Sequence, residues 1–154
     1  PPAATSGIII NLPLPAYIPQ DWITEISLRL QIYRRIGDLY RLDQVDDMER
    51  ELQDRFGKLP DAVAGLLYQI RVKLLAQRAG ATAVTLHEGL TIQVKLPYLY
   101  QLDRVMVRQE LGDDVQVTRT AIEIPLGVGE TWRTRLLEVL EALAQRGIAA
   151  GTPA

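Results

Sequence analysis

The chain has 154 residues, of which 47% are hydrophobic and 23% are charged, a balance typical of a folded globular domain. Its formal net charge of -2 provides no overall positive field that would attract nucleic acid or anionic lipid. The absence of cysteine excludes disulfide scaffolds, thiolate zinc sites and cysteine nucleophiles. Since no apolar run approaches the ~20 residues that span a bilayer, we expect a cytoplasmic protein without membrane contact.

The start of the chain predicts a short strand followed by an extended segment. Residues 1–7 are interpreted as a linker or an expression remnant, and residues 149–154 as a tail. The apolar run from Ile8 to Leu12 predicts a strand, which the prolines that follow it confine to a sheet edge. Residues 16–19 carry two further apolar side chains, so we expect this segment to pack against another surface. Residues 8–148 are expected to form one domain.

Three helices are predicted between residues 20 and 80, because apolar residues recur there at steps of three and four. Asp21 or Thr24 is the expected N-cap of the first helix, and Asp43 that of the second. Short joints between the helices favour a compact helical subdomain. The predicted helices cover residues 24–40, 44–56 and 61–79.

After residue 80 the apolar period changes from 3.6 to 2, which predicts strands. Glu88-Gly89 is expected to form a two-residue hairpin turn. In the next helix, Leu99, Leu102, Val105 and Met106 are expected to face inward. The predicted strands are 83–87, 90–96, 115–118 and 121–125, and the predicted helices are 97–110 and 130–146. The whole is an α+β fold: an N-terminal strand and three-helix subdomain (helical part about 20–80), followed by two ββα-type units (about 81–148) with a mostly antiparallel sheet.

No pattern in the chain predicts catalysis. The glycine-rich turn before Thr131 has Glu130 where a phosphate-binding loop requires lysine. His87 is the only histidine, so no histidine pair can anchor zinc, and neither Ser6 nor Ser27 lies on a nucleophile elbow. We therefore predict no catalytic residue, no cofactor and no metal site.

The second predicted helix carries an acidic stripe. Asp47, Glu51 and Asp54 follow one another at i, i+4 and i+7, opposite the apolar face. Arg55 follows Glu51 by four residues, the order that favours an ion pair. Such a stripe is compatible with an ordinary solvated face or with a binding surface.

Arginines crowd the first predicted helix and its end. They could contact nucleic acid, or they could pair with the acidic residues nearby. The stretch does not resemble an aromatic stacking surface for single strands, since Phe56 is the only phenylalanine of the chain and is expected to be buried. These arginines are Arg29, Arg34, Arg35 and Arg41.

Several separated motifs in the first half of the chain match one known family in spacing and identity. The motifs are Leu14-Pro-Ala-Tyr-Ile-Pro19, Leu28-Arg-Leu30, Tyr33-Arg-Arg-Ile36, Glu51-Leu-Gln-Asp-Arg-Phe-Gly-Lys-Leu-Pro60, Leu66-Leu67 and Arg71. With them the chain resembles the C-terminal domain of the bacterial transcription-repair coupling factor (Mfd). The resemblance is specific through about Gly80, and beyond it only the pattern of strands and helices agrees.

The resemblance implies a regulatory role. The full-length family protein is an ATP-driven DNA translocase that displaces stalled RNA polymerase and recruits excision repair through UvrA. Its C-terminal domain lacks motor motifs, docks on the UvrB-like N-terminal module of the same polypeptide, masks the UvrA-binding surface and restrains translocation. Carried onto this chain, the docking residues are Glu51, Asp54 and Arg55, joined on geometry alone by Asp47. The isolated domain is expected to be a monomer. A nucleic-acid-binding accessory module and a purely structural appendage remain as alternatives.

Overall fold

The computed structural model describes residues 7–149, and only the backbone of residues 147–149. The predicted linker up to residue 6, with Ser6, and the tail from residue 150 lie outside the described residues. A short 3-10 turn covers Leu99–Gln101. The elements are β1 (Ile9–Asn11), α1 (Ile26–Gly37), α2 (Leu42–Phe56), α3 (Asp61–Ala79), β2 (Ala83–His87), β3 (Thr91–Lys95), α4 (Arg104–Leu111), β4 (Gln116–Val117), β5 (Ala121–Pro125) and α5 (Thr131–Ala149). This order confirms the predicted α+β fold.

The described chain divides into two compact units. Residues 13–74 form the first unit, and residues 7–12 with 75–149 form the second. The core of the first unit is built by the apolar faces of its helices, with the rings of Trp22 and Phe56 packed at a centroid distance of 5.4 Å. The buried residues of this core are Ile18, Ile23, Ile32, Ile36, Val45, Met48, Leu52, Val63, Leu67 and Leu74.

Helix α1 begins later than the sequence predicts. Glu25 precedes its first residue and makes no side-chain capping bond, so the predicted caps Asp21 and Thr24 are wrong. The chain from Pro19 onward instead forms a turn, in which the Pro19 carbonyl accepts from the N–H groups of Trp22 and Ile23. This turn buries Ile23, and the helix can start only after it.

Helix α2 begins with Leu42, after Arg41, so the predicted N-cap Asp43 is also wrong. Gln44 takes the capping role, because its Oε1 accepts from the backbone N–H groups of Arg41 at 3.2 Å and of Tyr40 at 3.0 Å. Asp43 lies in the first turn, where a negative charge complements the helix dipole.

The extended segment after β1 is packed down, as predicted. The N–H of Tyr17 donates to the Ala62 carbonyl at 3.1 Å, and the N–H of Ile18 donates to the Tyr33 hydroxyl at 2.7 Å. The Pro15 carbonyl lies against Gly65 of α3, where an added Cβ would overlap with it. Only glycine therefore allows the segment to approach α3 this closely.

The sheet of the second unit has the strand order β1-β2-β3-β5-β4. β1 lies at one edge and pairs parallel with β2, while the other pairs are antiparallel. The predicted edge strand and mostly antiparallel sheet are thus confirmed. One face of the sheet is buried and the other carries the polar residues, for example Gln93 opposite Glu123. The buried face carries Val84, Ile92, Val94, Ile122 and Ile124.

The connection between β2 and β3 is longer than predicted. His87 pairs with Thr91, so three residues rather than two link the strands. Glu88 and Gly89 both have positive φ, +54° and +70°, and the N–H of Leu90 donates to the His87 carbonyl at 3.0 Å.

The predicted helix 97–110 is interrupted. The 3-10 turn ends at Gln101, and α4 starts after Asp103, whose carboxylate accepts from the N–H groups of Val105 and Met106. The interruption rotates the helix, so Val107 and Leu111 are buried instead. Val105 and Met106 are exposed by 67% and 54%, and their predicted inward orientation is therefore wrong.

Candidate functional site

The candidate site is the exposed side of α2. The helix buries Val45, Met48 and Leu52 at steps of three and four, which leaves the opposite side in solvent. The structure places Asp47, Glu51 and Asp54 away from this buried face, with Arg55 beside them. Their surroundings differ from one carboxylate to the next.

Glu51 is held by two arginines. Its Oε1 accepts from Nη2 of Arg35 at 2.7 Å, and its Oε2 accepts from Nη1 of Arg35 at 2.5 Å. Nη1 of Arg55 donates to Oε2 at 3.0 Å, in the i, i+4 arrangement that the sequence predicts. The paired hydrogen bonds from Arg35, with a further bond from Arg55, lower the pKa of Glu51 to about 2. Glu51 therefore ties α2 to α1 and is ionised at all physiological pH values.

The two arginines more than neutralise Glu51. Two guanidinium cations against one carboxylate leave a net charge of +1 at this point of the surface. Arg55 has a second partner, because its guanidinium carbon lies 5.0 Å from the centre of the Phe56 ring.

The other two carboxylates of the stripe differ in whether an arginine neutralises them. Asp47 forms an ion pair with Arg50, one helical turn further along. Asp54 is exposed and has no ion-pair partner among the residues that the structure describes. Asp54 is therefore the uncompensated anion of the predicted stripe.

A second acidic flank of α2 is tied to α3. Nη2 of Arg71 donates to Asp46 at 2.9 Å and to Glu49 at 2.7 Å. The Arg71 side chain is 24% exposed, so these bonds are partly shielded from solvent. This contact holds α2, the helix that carries the candidate site, against α3, and it gives Arg71 a structural role.

The arginines of the first helix and its end are mostly engaged within the chain. Arg29 donates to the carbonyls of residues 23 and 24, at 2.6 and 3.1 Å. Arg35 binds Glu51, and Arg41 binds Asp43 at 2.9 Å. Arg34 is exposed without an ion-pair partner in the described part of the chain. These contacts favour intramolecular pairing over a basic patch for nucleic acid.

The other sequence features give no further site. His87 ends β2 with Nε2 3.9 Å from the Glu88 carboxylate. Glu130 pairs with Arg133 at 2.9 Å, in the turn that the sequence distinguishes from a phosphate loop. Within residues 7–149, the structure contains no group of three or more acidic, histidine or cysteine residues that could hold a metal ion. None of the described helices is long and apolar enough to cross a membrane.

Comparison with known proteins decides the family. Residues 12–98 match the family model described as the TRCF domain, a range that contains all of α1, α2 and α3. The chain belongs to the TRCF domain family. This confirms the resemblance that the separated motifs indicate.

Named relatives of this TRCF domain are bacterial transcription-repair-coupling factors. The protein of Mycobacterium tuberculosis is 30% identical over 140 residues, which cover 88% of this chain and 11% of that protein. The protein of Rickettsia conorii is 41% identical over 66 residues, 43% of this chain and 6% of that protein. The chain thus spans about a tenth or less of the length of the curated relatives that it matches.

A solved structure has the same fold. The crystal structure of the C-terminal domain of transcription-repair coupling factor superposes with a TM-score of 0.78 and covers 93% of this chain and 95% of that chain. The sequence identity is 19%, so this likeness concerns the fold. The TRCF domain therefore has the expected α+β architecture of the C-terminal domain.

Proposed function

We propose that this TRCF domain is a non-catalytic regulatory part of a transcription-repair coupling factor. In this proposal the parent protein is a cytoplasmic, ATP-driven DNA translocase that displaces stalled RNA polymerase and recruits excision repair through UvrA. The domain docks on the UvrB-like N-terminal module of the same polypeptide, masks the UvrA-binding surface and restrains translocation. Family membership supports the choice of parent protein.

The exposed, uncompensated carboxylate of Asp54 is the observation that carries the docking proposal. Asp54 lies three residues from Glu51, whose carboxylate is fixed by Arg35 and Arg55. A basic residue of the partner can pair with Asp54 without breaking an existing ion pair of the domain. Glu51 shapes the surface, and Asp54 supplies its attractive charge.

A weak contact is sufficient for this role. Interfaces between domains of one chain bury roughly 600–1,500 Å² and stay reversible. A flexible tether supplies an effective concentration of about 1 mM, so a contact with millimolar affinity already covers the site half of the time. Charge pairing then adds specificity and salt sensitivity more than affinity.

Two alternatives use other surfaces. A nucleic-acid-binding module would depend on the arginines of the first helix, most of which are engaged in intramolecular contacts. A structural appendage would tolerate charge reversal anywhere on α2. Salt-dependent binding of duplex DNA by the isolated chain would favour the first alternative.

The test is a titration of the isolated chain against the UvrB-like module at low salt. Wild type, Asp54→Lys and Asp113→Lys are compared, the last reversing an acidic residue at an exposed turn of the second unit. We expect Asp54→Lys to weaken binding without lowering the melting temperature, and Asp113→Lys to behave as wild type. Absence of wild-type binding at millimolar concentration, which equals what the tether supplies, would contradict the proposal.

A further inference from the structure

We infer that β1 is a self-association surface, through which two copies of this chain pair antiparallel to form a dimer. In that dimer the two five-stranded sheets join edge to edge. The inference concerns the second unit and is independent of the docking proposed for α2. At low concentration the chain remains the monomer that the resemblance implies.

The backbone of β1 has hydrogen-bonding groups that its own sheet does not use. β1 is an edge strand, with β2 on one side and no strand of the described chain on the other. The N–H of Ile9 donates to the Thr82 carbonyl at 3.1 Å, so Ile9 and Asn11 direct their backbone groups toward β2. Ile10 lies between them and therefore directs its N–H and C=O away from the sheet. Within residues 7–149 neither group of Ile10 has a hydrogen-bond partner.

The side chains of β1 do not protect this edge. Sheet edges in monomeric proteins usually carry a lysine, a proline or a bulge that prevents pairing with another chain. Residues 8–12 are Ile-Ile-Ile-Asn-Leu, with neither charge nor proline, and Ile9 is 63% exposed. Pro13 follows directly and ends the segment that can pair. The open edge is thus short, mostly apolar and composed of good strand formers.

The strand is complementary to itself about Ile10. When two copies run antiparallel with Ile10 opposite Ile10, each Ile10 N–H faces the Ile10 carbonyl of the other copy. The same register places the N–H of Leu12 opposite the Ile8 carbonyl of the other copy. It also places Ile9 directly opposite Asn11 of the other copy, on the same exposed face. A second copy therefore supplies partners for the free groups of Ile10 and keeps the apolar faces of the two sheets on one side.

The dimer is expected to be weak. It joins one short strand of each copy, which buries far less than the roughly 1,200 Å² at the lower end of standard interfaces. We expect a dissociation constant of roughly 1 mM, so dimers form in concentrated solution or where two copies are held close together.

The test changes the two side chains that the register places opposite each other. Positions 9 and 11 are both exposed, so charges there leave the fold of the unit intact. Ile9→Lys/Asn11→Lys sets like charges across the two strands, and Ile9→Glu/Asn11→Lys sets opposite charges. We expect the Glu/Lys variant to dimerise roughly ten-fold more tightly than the Lys/Lys variant. The Lys/Lys variant raises the net charge of the chain from -2 to 0, so general repulsion between copies would give the opposite order.

A second pair of variants tests the backbone groups. Ile10→Pro removes the free N–H of Ile10 and leaves the hydrogen bonds between β1 and β2 in place. This variant should not dimerise, whereas Ile10→Val, which keeps the N–H, should dimerise as wild type does. Circular dichroism verifies that each variant is folded, and the charge variants decide the outcome if Ile10→Pro is not.

Sedimentation velocity measures the self-association of all these proteins from roughly 0.05 to 2 mM, a range that brackets the expected constant. A rise in the weight-average mass of wild type, with tighter association of the Glu/Lys than of the Lys/Lys variant, would support the inference. A wild type that stays monomeric at the highest concentration would overturn it, as would self-association that is equal in the two charge variants. Binding to the UvrB-like module is measured separately, so the proposed function stands or fails independently of this result.

Discussion

Substitution of Gly65 by alanine tests how the extended segment is held on α3. Alanine in place of glycine inside a helix ordinarily stabilises by about 0.5–1 kcal/mol. At Gly65 the new Cβ would overlap with the Pro15 carbonyl oxygen and come within 3.0 Å of Leu14 Cδ1. Relief requires the segment to move, although it carries the Tyr17–Ala62 hydrogen bond and the buried Ile18.

The expected effect is therefore destabilising. Overpacking costs about 1–3 kcal/mol and a lost hydrogen bond about 0.5–1.5 kcal/mol, which exceeds the gain in helix propensity. We expect Gly65→Ala to lower the free energy of unfolding by about 1–3 kcal/mol and the melting temperature by about 3–9 °C. Urea and thermal unfolding followed by circular dichroism measure both quantities.

The matched control is Gly37→Ala at the end of α1, where no atom lies within 4 Å of an added Cβ. This variant should be as stable as wild type or more stable by up to about 1 kcal/mol. A Gly65→Ala variant with wild-type stability would refute the argument from close approach, because it would mean that the segment yields without cost.

Three further predictions concern stability. Glu51 has its pKa lowered from 4.5 to about 2, so it stabilises the fold fully above pH 4.5, and this contribution is lost as the pH falls toward 2. Glu51→Gln should therefore cost about 1 kcal/mol at pH 7, after allowance for a half-exposed pair, and the difference from wild type should shrink between pH 4.5 and 2 in urea titrations; a difference independent of pH would contradict this. Asp103→Ala removes the N-cap of α4 and should lower the free energy of unfolding by about 0.5–2 kcal/mol, whereas Asp113→Ala should change it little. Equal effects would exclude the capping explanation. Leu52→Ala, at a fully buried position, should cost about 2–5 kcal/mol in urea unfolding, and Leu30→Ala, which is 48% exposed, far less. A small loss at Leu52 would show that the core can collapse around the missing side chain.

Elements with clear local signals are predictable from the sequence. The bounds of α3 and of β2 and β5 agree with the predicted ones, because apolar periodicity and the flanking Pro, Gly and Asp residues act within a few positions. The buried positions of α2 follow from the same periodicity.

Features that depend on tertiary contacts are not predictable in this way. Helix α1 starts later than predicted because the chain first forms the turn at Pro19 that buries Ile23. No local signal in the sequence distinguishes this turn from a helix capped by Asp21 or Thr24. The inward face of α4 changes because Asp103 caps a new helix where the periodicity suggests a continuous one. In both places a turn overrides the helical pattern.

The sequence predicts where the candidate site lies, but it does not predict which of its carboxylates are neutralised. The spacing of Asp47, Glu51 and Asp54 identifies the exposed stripe, and the Asp47–Arg50 pair at i, i+3 is visible in the sequence. Arg35 is 16 residues from Glu51, so its bidentate contact requires the packing of α1 on α2. With Arg50 on Asp47 and Arg35 on Glu51, Asp54 is left as the one unpaired carboxylate of the stripe within the described residues.

The masking of the UvrA-binding surface is the central claim, and UvrA affinity tests it most directly. UvrA is titrated against the full-length factor as wild type, with Asp54→Lys, and with Asp113→Lys as the control. If the TRCF domain covers the UvrA site through α2, Asp54→Lys should bind UvrA more tightly than wild type, and Asp113→Lys should not. Equal UvrA affinity for all three proteins, with their folds intact, would contradict the account.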